Sequence, residues 1–389
     1  MVSGGSGGLQ LEAEQALLGA LLLAPPQLDS VASWLEPSHF YRHAHAALYE
    51  VLLAQRAAGH PGLTANADEE QRRDWALGAM SVAAEASRGM TPGYGGTLMA
   101  ACPVSSHAGA YGRMVLEGAI RRRVHERAHR LQHAARTGSL EGALELTGEL
   151  REAIHELASS WGSLDERPRP LPGPWPLELT DGVREKTLQH ESAMLSSATA
   201  SPDGLVEITR WLRPGDFLDA GHRAVYQALA ALAHRAEPID QLTVLWEAQH
   251  RGAIASGTIT ADGVRAVTRG GLTGDPQYWA ERVLRASLLR QSAASAGVVR
   301  LLAGDSSLPG ARLLGSALHA LGAAEAVQDR WRTANNIPRR SDPPPAPAVA
   351  AERRRAASVR TPVTVPNPGA APSPAREAAS PRAPIRSTR

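Results

Sequence analysis

The sharpest chemical pattern in the chain is His125-Glu126-Arg127-Ala128-His129. On a helix, H-E-x-x-H sets two imidazoles one turn apart with a carboxylate beside them, as zinc hydrolases do to hold the metal and activate water. A third ligand would come from His133 on the same face, or from Glu145 or Glu149 further along. The extended pattern fails, because Gln132 stands where glycine belongs and Ala135 where the third histidine would fall. The matching residues of a second, related segment are Ala293, Ala294 and Gly297, so the fold does not depend on these groups. The segment is read as a solvated polar face, with no metal and no cofactor. A zinc hydrolase through His125, Glu126 and His129 is the last of the alternatives.

Phosphate chemistry is no better served. A phosphate loop needs G-x-x-x-x-G-K-[ST], with the lysine on the phosphates and the hydroxyl on magnesium. Lys186 is the only lysine, 40 of the 41 basic residues being arginine, and it is followed by Thr187. Glu185 occupies the place of the second glycine, and an acid there repels phosphate. No catalytic residue is assigned, and the expectation is a chain that is not an enzyme.

Positive charge offers a second kind of chemistry. Arg121-Arg122-Arg123 point three ways around a helix, and Glu117 and Glu126 lie within reach as partners. The better nucleic-acid candidates are Arg353, Arg354, Arg355 and Arg360, in a stretch with few acids. Residues 332–389 hold eleven arginines, three acids and twelve of the 28 prolines, with no apolar periodicity. Such a segment cannot bury enough surface to offset its ordering entropy and is expected to be disordered.

The rest of the chain must form the scaffold. Apolar types make up 43% and aromatics 4%, and alanine is abundant, which favours helix over sheet. Cys102 is the only cysteine, so no disulfide or multi-cysteine zinc site can form within the chain. The apolar run Ala16–Ala24 stops at Pro25-Pro26, too short to span a membrane, and no basic residues precede it. The expectation is a cytoplasmic protein with no membrane contact.

The chain contains itself twice. WLEPSHFYRHAHAALYE from Trp34 answers WLRPGDFLDAGHRAVYQ from Trp211, at an offset of 177. Trp34, Pro37, Phe40, His45 and Tyr49 coincide with Trp211, Pro214, Phe217, His222 and Tyr226, and Glu14 with Glu191. Further on the offset becomes 168, pairing Val115 and Leu116 with Val283 and Leu284. The recurring histidines are read as hydrogen-bonding or packing residues, and the recurring tryptophans as core anchors. Each copy reads as a string of helices, with Ser38 the expected N-cap of one, a long helix over about 111–136 and an amphipathic one over about 139–160. Residues 62–110 show no clear pattern.

The order EAEQALLGALLL, then W-L-x-P-x-x-F-x-x-x-x-H-x-x-x-Y, then a long helix, resembles the N-terminal domain of DnaB-type replicative DNA helicases. In the second copy PIDQLTV, from Pro238, is similar to that domain's next block, where a Pro-Ile-Asp segment leads into a helix. Composition and the repeat divide an all-α chain into a flexible leader (1–9), a first helical domain (10–161), a Pro-rich linker (162–176), a second helical domain (177–331) and a disordered basic tail (332–389), and the resemblance implies that both domains are helical bundles of this type. In that family the domain is not catalytic; it helps assemble the ring and contacts the primase. The function implied is therefore replication-associated protein–protein interaction, with the replicative helicase or a DnaG-type primase as partner. Self-association is a further partner expectation, and the two halves of the chain are expected to pair with each other through their long helices, Val115, Leu116 and Ile120 packing on Val283, Leu284 and Leu288. The main alternative is a DNA-binding protein whose tail makes non-specific DNA contact and whose helical domains only dimerise.

Overall fold

The computed structural model describes residues 5–64, 66–91, 93–162, 179–269 and 274–337. These form thirteen α-helices joined by short 3-10 turns, with no strand among the described residues. In the first repeat the helices are α1 (Gly5–Leu23), α2 (His43–Ala57), α3 (Glu69–Ala86), α4 (Tyr94–Ala100), α5 (Ala108–Arg136) and α6 (Leu140–Trp161). The second supplies α7 (Asp181–Ala200), α8 (Leu205–Trp211), α9 (Ala220–His234), α10 (Gln241–His250), α11 (Ala261–Thr268), α12 (Pro276–Gly304) and α13 (Gly310–Ala334). α2 and α9 start and end 177 positions apart, and α5 and α12 168 apart, so both sequence offsets are kept in the fold.

Local chemistry sets the boundaries. Pro25 opens a 3-10 turn after α1. Asp68 accepts the Gln71 N–H to cap α3, while Asp240 accepts those of Leu242 and Thr243 to cap α10. Thr137 and Gly138 close α5; Gly138 has φ +81°, which suits glycine, and the next residue, Ser139, caps α6. α5–α6 and α12–α13 are thus helical hairpins. Gly19 lets α1 lie directly on α4, since a Cβ there would meet the Leu98 carbonyl oxygen at 2.0 Å.

Several boundaries differ from those the sequence suggests. Ser38 does not cap a helix; Pro37–His39 forms a 3-10 turn, Phe40 is extended, and α2 begins only at His43. The patternless stretch 62–110 contains α3 and α4, whose buried side chains include Trp75, Met80 and Leu98. α1 starts at Gly5, inside the expected leader, and α13 runs to Ala334, past the expected start of the tail. The expected linker, from residue 163 on, and the tail from residue 338 lie outside the described residues.

The described residues of both repeats fall within one compact unit and share one apolar cluster. Around α1 it gathers Leu17, Leu18 and Leu21 with Leu48, Leu52 and Trp75; the second repeat adds Leu195, Phe217, Leu229 and Leu284. No described helix is long and apolar enough to cross a membrane.

Candidate functional site

The two hairpins pack on each other: α5 lies along α12, and α6 along α13. Hydrogen bonds between the repeats fix the register. The Arg121 guanidinium donates to the Asp305 carbonyl at 2.6 Å and to that of Leu308. Arg300 donates to the Gln132 side chain, and Arg285 to the Gly138 carbonyl at 3.1 Å. As α5 runs from 121 to 138, its neighbours on α12 and the following turn fall from 305 to 285, so the helices are antiparallel and a pseudo-twofold relates the hairpins. Where they overlap, Ala128, Ala135, Ala293, Ala296 and Gly297 are buried, and such small side chains permit close approach around the buried Gln132. On the other layer Gln328 reaches the Ala143 and Leu144 carbonyls, each at 3.4 Å, and Arg151 pairs with Glu325 at 3.5 Å.

This register corrects the contact expected between the long helices. Val115, Leu116, Ile120, Val283, Leu284 and Leu288 are all buried. The two sets nevertheless lie about 25–35 Å apart along the bundle at ~1.5 Å per residue. α1 packs on α5 and α7 on α12: Gly118, between Leu116 and Ile120, lies against Gln10 of α1, and Trp279, one turn before Val283, lies against His190 of α7. The sequence repeat places both sets at equivalent depths in their own repeats, and an antiparallel pair carries equivalent positions to opposite ends.

A buried carboxylate organises each repeat. Glu14 on α1 accepts the backbone N–H groups of Tyr41 (2.5 Å) and Arg42 (3.3 Å) and stands 2.8 Å from His45 Nδ1. Glu191 on α7 does the same with Leu218 N–H (2.5 Å), Asp219 N–H (3.3 Å) and His222 Nδ1 (2.9 Å). Each glutamate fixes its own first helix to the entry of α2 or α9 and receives backbone donors that would otherwise be buried unmet. In the first repeat His45 Nε2 also lies 3.1 Å from the Tyr94 hydroxyl. The other recurring residues surround this bracket: Pro37 and Pro214 open the 3-10 turns. Phe40 packs on Tyr49 and Phe217 on Tyr226, with ring centroids 5.0 and 4.8 Å apart. The Tyr49 and Tyr226 hydroxyls donate to the carbonyls of Leu35 and Leu212. Trp211 is buried, but Trp34 is only partly so: the Arg113 guanidinium lies 4.8 Å from its ring and 5.4 Å from that of Trp161.

His39 and Asp216 share one position and one task. Each side chain accepts the N–H three residues back, His39 Nδ1 that of Glu36 (3.0 Å) and Asp216 that of Arg213 (2.7 Å). Burial, then Arg123, hold the His39 pKa down at about 4, which keeps the ring neutral and able to accept. Asp216 also takes the Ser287 hydroxyl and Arg330 of α13, a buried ion pair absent from the histidine version.

The arginine triplet is used internally. Arg121 binds Glu117 at 2.8 Å and the carbonyls of the opposite repeat; Arg122 donates to the His39 carbonyl and Arg123 to that of Ser38. Arg122 and Arg123 thus both reach the Pro37–His39 turn of their own repeat, while Arg121 crosses to the opposite one. His125, Glu126 and His129 share an exposed face of α5. Among the described residues, no group of three or more His, Cys, Asp or Glu could hold a metal ion. Burial and the Arg300 charge lower the His125 pKa. The remaining nucleic-acid candidates, Arg353, Arg354, Arg355 and Arg360, lie outside the described residues.

Sequence reading missed Gln132, Arg300, Arg285 and Asp216. The last two had a signal: at offset 168 Arg285 replaces Glu117, and at offset 177 Asp216 replaces His39, each a change of charge inside a repeat.

Comparison with known proteins gives the same picture. The family model for the DnaB-like helicase N-terminal domain matches residues 9–117 and 183–268, once in each repeat. The replicative DNA helicase DnaB of Mycobacterium leprae (strain TN) is 30% identical over 234 residues, covering 57% of this chain and 34% of the helicase. The chain thus spans about a third of that relative's length. No solved structure matches. With the domain matched in two segments that together make up half of the sequence, the chain belongs to the DnaB-like helicase N-terminal domain family.

Proposed function

We propose that this is a non-catalytic protein of DNA replication, working in the cytoplasm through helical protein–protein contacts with the replicative helicase or a DnaG-type primase. The observation that carries the reading is the pairing of α5 with α12 inside one chain. Two copies of a helicase N-terminal domain mate with each other through their hairpins, so the chain brings its own partner for that face. What remains for another protein is the outer surface. There α10 presents Leu242 and Trp246, 71% and 60% exposed and one turn apart, on the block that begins at Pro238. Exposed aromatic and aliphatic side chains at such spacing suit a protein partner, since a few apolar anchors carry most of an interface's energy. No residue here supplies the phosphate loop that ATP hydrolysis requires.

Immobilised full-length protein should retain purified helicase or primase from the same cell. The double variant Leu242→Asp with Trp246→Ala should lose that retention while keeping its helical circular dichroism. If neither protein is retained by the unaltered chain, the partner assignment is wrong.

A further inference from the structure

The pseudo-twofold makes two equivalent corners, each where a long helix meets the turn of the opposite hairpin. The two are filled differently. At one, Arg121 lies against the Asp305–Leu308 turn, its charge matched by Glu117 one helical turn earlier. At the other, the equivalents of Glu117 and Arg121 are Arg285 and Leu289. The acid has become a base, and the long side chain that fills the first corner has become a shorter apolar one.

The second corner is a cavity of about 450 Å³ between α7, α12 and the α5–α6 turn. Its basic lining is Arg136, Lys186, His190, Arg282, Arg285 and Arg290, and no Asp or Glu among the described residues lines it. Among the described residues none of the six pairs directly with a carboxylate, though Arg282 donates to the Tyr278 hydroxyl, Arg285 to the Gly138 carbonyl and Arg290 to the Asp216 carbonyl, and the Glu191 and Asp216 charges act on Arg290. Arg285 Nε and Arg290 Nη1 are buried there without a hydrogen-bond partner. Six basic side chains around one cavity with no carboxylate in its wall favour an anionic, acceptor-rich ligand. The chain's only lysine is among them. Leu179, Val183 and Leu289 supply apolar wall, with Val183 half-exposed at the rim. The volume is that of a small-molecule site and exceeds what one inorganic phosphate fills.

We propose that this corner binds a small organic phosphate of nucleotide size. The phosphates sit among Lys186, Arg282 and Arg285, and the organic part lies against Leu179, Val183 and Leu289. Guanidinium groups suit phosphate because they offer paired donors in a planar fork. Burial, and then the charges of Arg282, Lys186 and Arg285, lower the His190 pKa, in keeping with a concentrated positive potential. The site goes beyond the protein-contact function and needs no hydrolysis. It bridges the repeats, so its occupant would strengthen their pairing.

Isothermal titration calorimetry on the full-length protein tests this, with ATP, adenosine, inorganic phosphate and a single-stranded DNA oligonucleotide as separate probes. ATP should bind at one site per chain and more tightly than phosphate, and adenosine should not bind. Lys186→Ala with Arg282→Ala should weaken ATP by at least about tenfold, since each removes a charge-assisted hydrogen bond. Arg285→Glu with Leu289→Arg rebuilds the filled corner and should abolish binding with circular dichroism unchanged. Absence of ATP binding, equal binding of adenosine, phosphate binding as tightly as ATP, or ATP affinity unchanged in both folded double variants would each overturn the proposal. So would displacement of ATP's binding by the oligonucleotide as the tighter ligand.

Discussion

Glu14 and His45, thirty-one residues apart, meet at 2.8 Å in the core of the first repeat, and Glu191 and His222 meet at 2.9 Å with the same spacing in the second. The glutamate is the centre of each bracket, because it also holds two backbone N–H groups at a helix entry. Glu14→Ala should leave these donors buried without an acceptor and cost about 3–5 kcal/mol. Glu191→Ala should cost a similar amount. Urea denaturation of each variant measures this; losses under about 1 kcal/mol would mean that the brackets are incidental.

His39 makes stability depend on pH. Its folded pKa of about 4 lies below the ordinary 6.5, so between these values the unfolded chain binds more protons than the folded one. Stability from this group is fully present above pH 6.5, falls as the pH drops, and levels off near pH 4. The loss by pH 5 should be about 2 kcal/mol. His39→Asn keeps an acceptor for the Glu36 N–H but does not titrate, so its unfolding free energy should change less between pH 7 and 5. Parallel pH profiles for the two proteins would assign the loss elsewhere.

The pairing face and the opposite face of α12 should respond differently to charge. Ala296 is buried in the overlap with α5, whereas Leu301 is nearly half-exposed. Ala296→Glu should cost about 3–5 kcal/mol by burying a carboxylate without a partner. Leu301→Glu should stay within about 0.5 kcal/mol of the unaltered protein. Thermal unfolding separates the two; equal effects would show that α12 does not pack through the Ala296 face.

The repeat was legible because the residues that shape its entry turn, Pro37, Phe40, His45 and Tyr49 and their counterparts, are large or conformationally restricted and sit in fixed order. Helices α5 and α6 were legible from apolar spacing within a residue or three. α3 and α4 were not, because α3 spreads its buried contacts over Trp75, Ala79 and Ala83, and alanine gives little amphipathic contrast. The pairing of the hairpins was foreseen as elements but not as residues. Periodicity tells which face of a helix is buried, not the register along an antiparallel neighbour, which arginines such as Arg121 and Arg300 fix through carbonyls and amides that carry no sequence signal. The basic corner escaped for a related reason: offset 168 shows Arg285 in place of Glu117, but Lys186 and Arg285 are 99 residues apart in sequence and only the fold brings them to one cavity.

Cutting the chain between the repeats tests the central claim, that they form an internal pair, most directly. A protease site placed within residues 163–178 allows the chain to be cleaved without altering either hairpin. After cleavage, sedimentation velocity at micromolar concentration should show one species with the mass of the uncut chain, because the α5–α12 and α6–α13 contacts hold the halves together. Two separate species, each folded and half the mass, would contradict it.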